Sequence, residues 1–555
     1  MTEAAQNAPV GGLTPVSRRV MNLSTFLSQT AARLPNEPAL IIDDQVTSWA
    51  ELERRVEALA DAFRNAGLVK GDRILTHSPN CRELIEVMLA TFRIGCVWVP
   101  TNFRITPDEV DYLAHSAGVS AFICHTGFPE HARIANTIQG LKLISHMGPE
   151  PANTVANAVT GEEVRTHAPG IAALIDAHLV QLVSQPATRV DYDDPCWFFF
   201  TSGTTGKPKA AVLTHGQMAF VLTNHLCDLM PGTTHHDRSL VVAPLSHGAG
   251  IHFLTQLVRG VCTLFSTDAR FSPEAAWATI ARHRVSNFFT VPTILKLMIE
   301  HESVDRYTHD TLRYIIYAGA PMYRADQKQA LEKLGPVLVQ YFGLGEVTGN
   351  ITVLPPCDHS ADDQAMRHVG SCGYARTGIE VSIQDAEGHR LPPDQPGEIC
   401  VCGPAVFAGY YNNPEANRKS FRDGWFRTGD IGYLDAQGYL YITGRESDMY
   451  ISGGSNIYPR EIEEKILAAG MIKEVCVLGV PDPMWGEVGV MVGVLKDGVQ
   501  WNPQTFQAWL DANIARYKHP RQFVIWPELP KSGYGKVTKK IVYQELLNQG
   551  ALSQP

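Results

Sequence analysis

A chain of 555 residues, 45% of them hydrophobic, is long enough for more than one domain with a sizeable core in each. Its 47 Lys and Arg against 57 Asp and Glu leave a formal charge of −10, which argues against nonspecific attraction to nucleic acid or an anionic membrane. No apolar run approaches the roughly 18 residues that a bilayer-spanning helix needs, and the start MTEAAQNAPVGGLTP lacks a basic segment followed by an apolar one, so the expected location is cytoplasmic.

Residues 1 to about 20, rich in Ala, Gly, Pro and Asn, read as a loose N-terminal arm. From Ser48 to Asn65 the spacing of Leu52, Val56, Leu59 and Phe63 predicts an amphipathic surface helix. Short apolar runs (RILTH, CVWVP, AFICH, VSNFFTV, YIIYAG) then alternate with helical segments, the pattern of α/β layers on a largely parallel sheet. Ser272-Pro273-Glu274 is a helix start with Pro at the first helical position. Between about 370 and 445 short strands broken by Gly and Asp predict antiparallel hairpins, a small barrel-like section. After Gly444 a new α/β unit begins, with helices in YPREIEEKILAAG and PQTFQAWLDANIARY and strands in KEVCVLGVPD and VGVMVGVLKDG. The 11 cysteines are scattered without a CxxC pair or metal-ligand cluster and read as reduced core thiols.

Chemistry first shows in FFFTSGTTGKPK, residues 198 to 209. The WFFF run reads as a strand buried on both faces, and it ends in a loop of glycines, hydroxyls and lysines. Glycines let backbone N–H groups approach an anion, Thr201, Ser202, Thr204 and Thr205 add donors, and Lys207 and Lys209 add charge: together, a phosphate cradle. It is not the common P-loop, because only two residues separate Gly203 from Gly206 and Pro208 follows Lys207. The next helix is expected to start at Thr214, where THGQ fits a capping box.

Further segments follow in order: PLSHGAG at 244–250, YAGAPM at 317–322, FGLGE at 342–346, WFRTGDIGYLDAQGYLYITGR at 425–445, then DMYISGGSNIYPREIE and LPKSGYGK. With TSGTTGKPK they resemble the adenylate-forming superfamily of acyl-CoA synthetases, nonribosomal adenylation domains and beetle luciferases, most closely on the acid–CoA ligase branch. The resemblance implies an N-terminal adenylation domain over 21–444, a hinge near 445–448 and a mobile C-terminal domain over 445–555. It implies a two-step reaction, in which a carboxylic acid and ATP give acyl-AMP and a thiol then displaces AMP. ATP, Mg²⁺ and coenzyme A are the implied cofactor and co-substrates; the partners are small molecules, with neither nucleic acid nor integral membrane, and a homodimer is left open.

Carried over residue by residue, the resemblance implies that Glu346 binds Mg²⁺ and that Lys536 bridges the carboxylate and phosphate oxygens in the first step. It implies a nucleotide site from Thr201, Ser202, Gly203, Thr204, Thr205, Gly206 and Lys209 on the phosphates, with Gly319, Ala320, Pro321, Phe342, Gly343 and Gly345 around the adenine and α-phosphate. Asp430 and Arg445 match the pair that holds the ribose hydroxyls; an acceptor and a donor suit a diol. Gly453 and Gly454 lie where the CoA thiol passes. His247, Gly248, Ala318, Gly319, Leu344 and Gly349 are the implied acyl-pocket residues. Two positions depart from the pattern: Gly345 replaces a Thr that donates to the α-phosphate, and Ser447 stands at the usual Lys or Asp of the hinge. Losing one neutral hydrogen bond is worth about 0.5 to 1.5 kcal/mol, so slower adenylation is expected.

The segments His225 to Leu229, His247 to Ile251, Tyr317 to Pro321 and Leu344 to Ile351 contain small and apolar residues and no Lys or Arg. A medium-chain aliphatic or aromatic acid is therefore expected and a dicarboxylate disfavoured. Two alternatives stay open: loading of a carrier protein instead of CoA, and a degenerate nucleotide-binding protein without catalysis.

Overall fold

The computed structural model describes residues 16–149, 169–201, 207–268, 270–320, 322–366, 368–453, 455–531 and 537–552. Ser17 is already tied down, its carbonyl accepting from Tyr192 N at 2.7 Å, so the expected N-terminal arm gives way to ordered chain before residue 20.

Alternating β and α segments build two large sheets. One has nine strands, in the order Tyr374–Ala375, Thr352–Leu354, Leu338–Phe342, Tyr314–Tyr317, Asn287–Thr290, Arg238–Val241, Cys262–Phe265, Pro38–Ile42 and Gln45–Ser48. It is parallel from Leu338–Phe342 to Pro38–Ile42 and antiparallel only at its two edges. The other has six strands, Leu143–Met147, Ala121–His125, Arg73–His77, Val97–Thr101, Pro195–Thr201 and Lys209–Thr214, and only the last pair is antiparallel. Parallel strands need crossover helices on both faces, which is why most of these strands are near-continuous apolar runs instead of alternating ones.

The helix Trp49–Asn65 starts where its capping residue predicts, Ser48 accepting from Glu51 N. It is not a one-faced surface helix, however. Ala58, Ala60 and Ala62 are buried along with Leu52, Val56, Leu59 and Phe63, because the helices Arg82–Arg93 and Ile171–Leu179 pack on two of its sides. Alanines carry no amphipathic signal strong enough to announce that second contact. Ser272 and Thr214 cap the helices Pro273–His283 and His215–Asp228 as expected, the latter by a reciprocal box with Gln217.

The hairpins expected over 370–445 form a third, five-stranded antiparallel sheet of Glu380–Gln384, Gly397–Cys402, Phe421–Arg422, Trp425–Leu434 and Leu440–Arg445. Beyond it lies a fourth sheet, Tyr450–Ser452, Ser455–Ile457, Ile472–Asp482, Gly486–Leu495 and Gln522–Ile525, flanked by the helices Pro459–Ala468, Pro503–Asn513 and Lys539–Asn548. Two apolar clusters made only of residues from Tyr450 onward fill its two faces. The cysteines are free thiols, most of them buried. Burial pushes those of Cys81, Cys96, Cys124 and Cys262 up to about 12, as expected of core filler.

Candidate active site

In the nine-stranded sheet the parallel strands deliver their C-terminal ends to one edge. Asn287–Thr290, Tyr314–Tyr317 and Leu338–Phe342 end there, leading into Ala318-Gly319-Ala320 and Phe342-Gly343, while Arg238–Val241 leads toward His247. Open α/β sheets bind ligands at this edge, because the loops that leave the strand ends are free to diverge. The antiparallel pair Pro195–Thr201 and Lys209–Thr214 brings Thr201 opposite Lys209. Of the expected site residues, Ser202, Gly203, Thr204, Thr205, Gly206, Pro321, Gly454 and Lys536 lie outside the described residues.

Glu346 sits in a short 3-10 turn, Gly345–Val347, and is 5% exposed. Its Oε1 accepts from Thr201 Oγ1 at 2.8 Å and from Tyr410 Oη at 2.9 Å. Among the described residues no donor is bonded to its other oxygen. A buried carboxylate anchored through one oxygen, with the second at hand, fits the single-carboxylate demand of Mg²⁺. Tyr410 was not expected from the sequence. Its hydroxyl is held protonated by burial and by the adjacent Glu346 charge, and Lys209 Nζ stands 5.2 Å from its ring centroid.

Gly345 is explained by its neighbours. A Cβ there would stand 2.6 Å from Phe199 Cδ1 and 2.8 Å from Thr201 Cγ2. Phe199 therefore occupies the space a threonine at 345 needs, and its ring also meets the His247 imidazole edge-on at 5.5 Å.

Asp430 and Arg445 face each other across the hairpin of Trp425–Leu434 and Leu440–Arg445, with Arg445 Nε donating to Asp430 Oδ1 at 3.0 Å. The carboxylate is buried and the guanidinium half-exposed. Burial raises the Asp430 pKa in spite of Arg445, while Asp430 first, and Glu346 further off, keep Arg445 charged. Asp430 Oδ2 is buried and has no hydrogen-bond partner among the described residues. Native proteins rarely leave such an acceptor unpaired, and a sugar hydroxyl would satisfy it.

Three of the expected acyl-pocket residues, Gly248, Ala318 and Gly349, lie with two aromatic rings that the sequence did not single out, Phe289 and Tyr341, stacked at 6.0 Å. A side chain at Gly248 would come within 2.8 Å of Phe289 Cζ, and one at Gly349 within 2.4 Å of Tyr341 Cε2. Ala318, Leu229 and Met230 join the same apolar cluster, and Leu344 caps the adjoining turn. His247 takes the N-cap position of the helix Gly248–Arg259, with Ser246 Oγ 2.9 Å from its Nδ1. His252 faces inward and bonds Ser239 and Asn287, a structural histidine.

Behind this wall lies a cation that the local sequence segments lack. Arg376, fully buried, donates to Gly349 O at 3.3 Å, and its Nη2 also stands 3.3 Å from His225 Nδ1; Asp228 is 3.7 Å away. It comes from the strand edge after Tyr374–Ala375, so no spacing within the wall segments announces it. Asp228 stands beside it as the opposite charge.

Gly453 has φ 56°, and its N–H donates to Trp485 O at 2.9 Å; a Cβ would meet the Trp485 ring at 2.7 Å. Only glycine fits that combination.

The sequence model of the AMP-binding enzyme family matches residues 27–411, and that of the AMP-binding enzyme C-terminal domain matches 461–536. The chain belongs to the AMP-binding enzyme family, among its acid–CoA ligases. Within this family it is 34% identical over 523 residues to a feruloyl-CoA synthase of an Amycolatopsis species, covering 94% of this chain and 98% of that protein. It is 30% identical over 527 residues to the long-chain-fatty-acid–CoA ligase FadD13 of Mycobacterium tuberculosis, covering 94% and 98%. Among solved structures, ATP-bound MatB from Rhodopseudomonas palustris superposes with a TM-score of 0.83 at 27% identity, covering 95% of this chain and 99% of that one. Among the described residues of this AMP-binding enzyme no helix is long and apolar enough to cross a membrane.

Proposed function

We propose that the protein is a cytoplasmic, AMP-forming acid–CoA ligase for a medium-chain aliphatic or aromatic carboxylic acid. An oxygen of the acid attacks the α-phosphorus of ATP, the bond to the β-phosphate breaks, and pyrophosphate leaves. The CoA sulfur then attacks the acyl carbon, the carbon–oxygen bond to AMP breaks, and the thioester is released. The observation that carries the reading is the buried carboxylate of Glu346, held through one oxygen by Thr201 and Tyr410; the unsatisfied Asp430 Oδ2, on the third sheet, supports it.

In this reading Thr201 to Gly206 and Lys209 hold the β- and γ-phosphates. Glu346 is the Mg²⁺ ligand, and the ion would supply positive charge against the departing pyrophosphate. Thr201 and Tyr410 fix the Glu346 carboxylate, so that its free oxygen is aimed before nucleotide arrives. Gly319, Ala320, Pro321, Phe342 and Gly343 flank the adenine, and Asp430 accepts from a ribose hydroxyl beside Arg445. His247, with Phe199 against it, closes the acyl pocket, whose walls are Gly248, Ala318, Leu344, Gly349, Phe289 and Tyr341. Lys536 neutralises the two anions as they meet, which lowers the barrier of the first step. Residues 21–444 form the adenylation domain, and 445–555 turn about 445–448 to present Gly453 and Gly454 to CoA in the second step.

Pyrophosphate release, measured with ATP and Mg²⁺ across short, medium, long, aryl and dicarboxylic acids, with and without CoA, tests enzyme against binder and CoA against carrier together. Lys536→Ala is expected to abolish acyl-AMP formation nearly completely while leaving thioester formation from premade acyl-AMP largely intact. Equal loss of both half-reactions would remove Lys536 from its role.

A further inference from the structure

A cleft of about 600 Å³ opens at the opposite edge of the nine-stranded sheet, where the parallel strands begin. Arg238, Arg282, Arg284 and Arg313 line it against Asp237 and Asp310, a local excess of positive charge on a chain whose formal charge is −10. Its acids are largely engaged. Asp237 pairs with Arg313 at 2.5 Å and accepts from Thr234 N at 2.8 Å. Arg282 turns to Asp44 at 2.9 Å. Among the described residues Arg238 and Arg284 have no carboxylate partner.

The bland explanation is that the helix Pro273–His283 ends here and cations complement its C-terminal dipole. That accounts for Arg282 and Arg284, and Asp237 accounts for Arg313, but Arg238, at the start of a separate strand, is left unexplained. The backbones of Arg238 and Arg313 are pinned: Ser286 N donates to Arg238 O at 2.9 Å and Arg313 N to Ser286 O at 2.8 Å. The backbone of Arg284 is a second, independent sign. It caps its helix in the left-handed region, φ 52°, where the equivalent caps Gly118 and Gly260 are glycines. A side chain is strained there, a cost that a purely structural cap avoids by using glycine. The field is felt by His283, whose pKa is lowered by burial and then by Arg282 and Arg238.

We propose that this cleft binds phosphoryl groups, at a site separate from the catalytic one. Guanidinium forks match phosphate oxygens in pairs and keep their charge at any physiological pH. The volume lies in the usual range for small-molecule sites, while the charged lining is wrong for an acyl chain. A soluble polyphosphate and an anionic phospholipid headgroup offer the same chemistry. The strands Arg238–Val241, Asn287–Thr290 and Tyr314–Tyr317 run from the cleft to the catalytic edge, so an occupant would press on the rigid elements that carry the site.

The test is calorimetric titration of the full chain and of R238S/R284S with inorganic tripolyphosphate, binding common to both being assigned to the loop Thr201 to Lys209, alongside flotation with phosphatidylglycerol or phosphatidylcholine vesicles. At least one anionic probe is expected to bind, and about tenfold more weakly to R238S/R284S. Tripolyphosphate binding alone identifies a soluble ligand; selective flotation with phosphatidylglycerol identifies a headgroup. R284G, which suits the left-handed backbone, is expected to melt no lower than wild type and still to bind more weakly, so that loss of affinity is not loss of fold. Absence of binding to both anionic probes, or equal binding by wild type and both variants, overturns the proposal. The outcome does not depend on the ligase reading, because no turnover is measured.

Discussion

Phe199 and Gly345 share one volume, and that changes what a restoring mutation would do. From sequence alone, Gly345→Thr looks like the repair of a lost hydroxyl. In the structure the new side chain collides with Phe199 and Thr201, so overpacking of about 1 to 3 kcal/mol is expected instead. G345T should lower the rate of acid-dependent ATP–pyrophosphate exchange by about tenfold or more, and F199A/G345T should recover most of it. A faster G345T enzyme, or a double variant no better than the single, would show that Phe199 does not fill that space. Asp430 gives a residue-scale prediction of opposite signs. Its folded pKa is raised above the ordinary 3.8 by burial, so the ionised form is disfavoured in the native state. That penalty is absent below the unfolded value, grows from there up to the folded one, and is constant above it. D430N should therefore raise the urea midpoint at pH 7 while weakening ATP binding by about tenfold or more, the worth of a charged hydrogen bond. A variant that loses stability and keeps ATP affinity would contradict both halves.

At the scale of elements, the helix His215–Asp228 carries much of the wall's placement. Thr214 starts it and Gln217 closes the capping box, while Gln217 Nε2 donates to Ala405 O at 2.8 Å and so ties the helix to the chain that leaves the strand Gly397–Cys402 of the third sheet. T214A is expected to destabilise the protein by about 1 kcal/mol and to disturb the acid's KM more than that of ATP; equal shifts in both constants would mean that the helix does not set the wall. Such elements were legible because their causes are local. A capping box, a proline after a serine and an apolar run each act within a few residues, and Thr214, Ser272 and the strands RILTH and AFICH fold where the sequence reads. The motif residues were legible for a different reason, since each chemical task needs a side chain of one type at a fixed spacing. What stayed hidden was assembled over distance. Phe289 and Tyr341 are ordinary core aromatics by sequence, and Arg376 reaches His225 across 151 positions. Tyr410 meets Glu346 across 64. No local pattern encodes which strand lies beside which, so neither the second aromatic wall nor the buried arginine had a signal to read.

For the whole molecule, the separateness of the last sheet has a direct consequence. Among the described residues its two apolar clusters draw on none before Tyr450, and its strands pair only with one another. A fragment of residues 446–555 is expected to fold alone, with a cooperative thermal transition and dispersed amide resonances; a fragment without either would place the boundary elsewhere. The nine-stranded sheet is the opposite case. Pro38–Ile42 lies between Gln45–Ser48 and Cys262–Phe265, and nearby Thr30 Oγ1 donates to Leu257 O across 227 residues. During synthesis at roughly 5 to 20 residues per second, the strand PALII waits on the order of ten to forty-five seconds for its parallel neighbour to leave the ribosome. Throughout that interval one edge of it is an unpaired apolar template. The nascent chain is thus most prone to aggregate in its first half, and chains arrested shortly before Cys262 should be held by chaperones far longer than chains arrested shortly after Phe265.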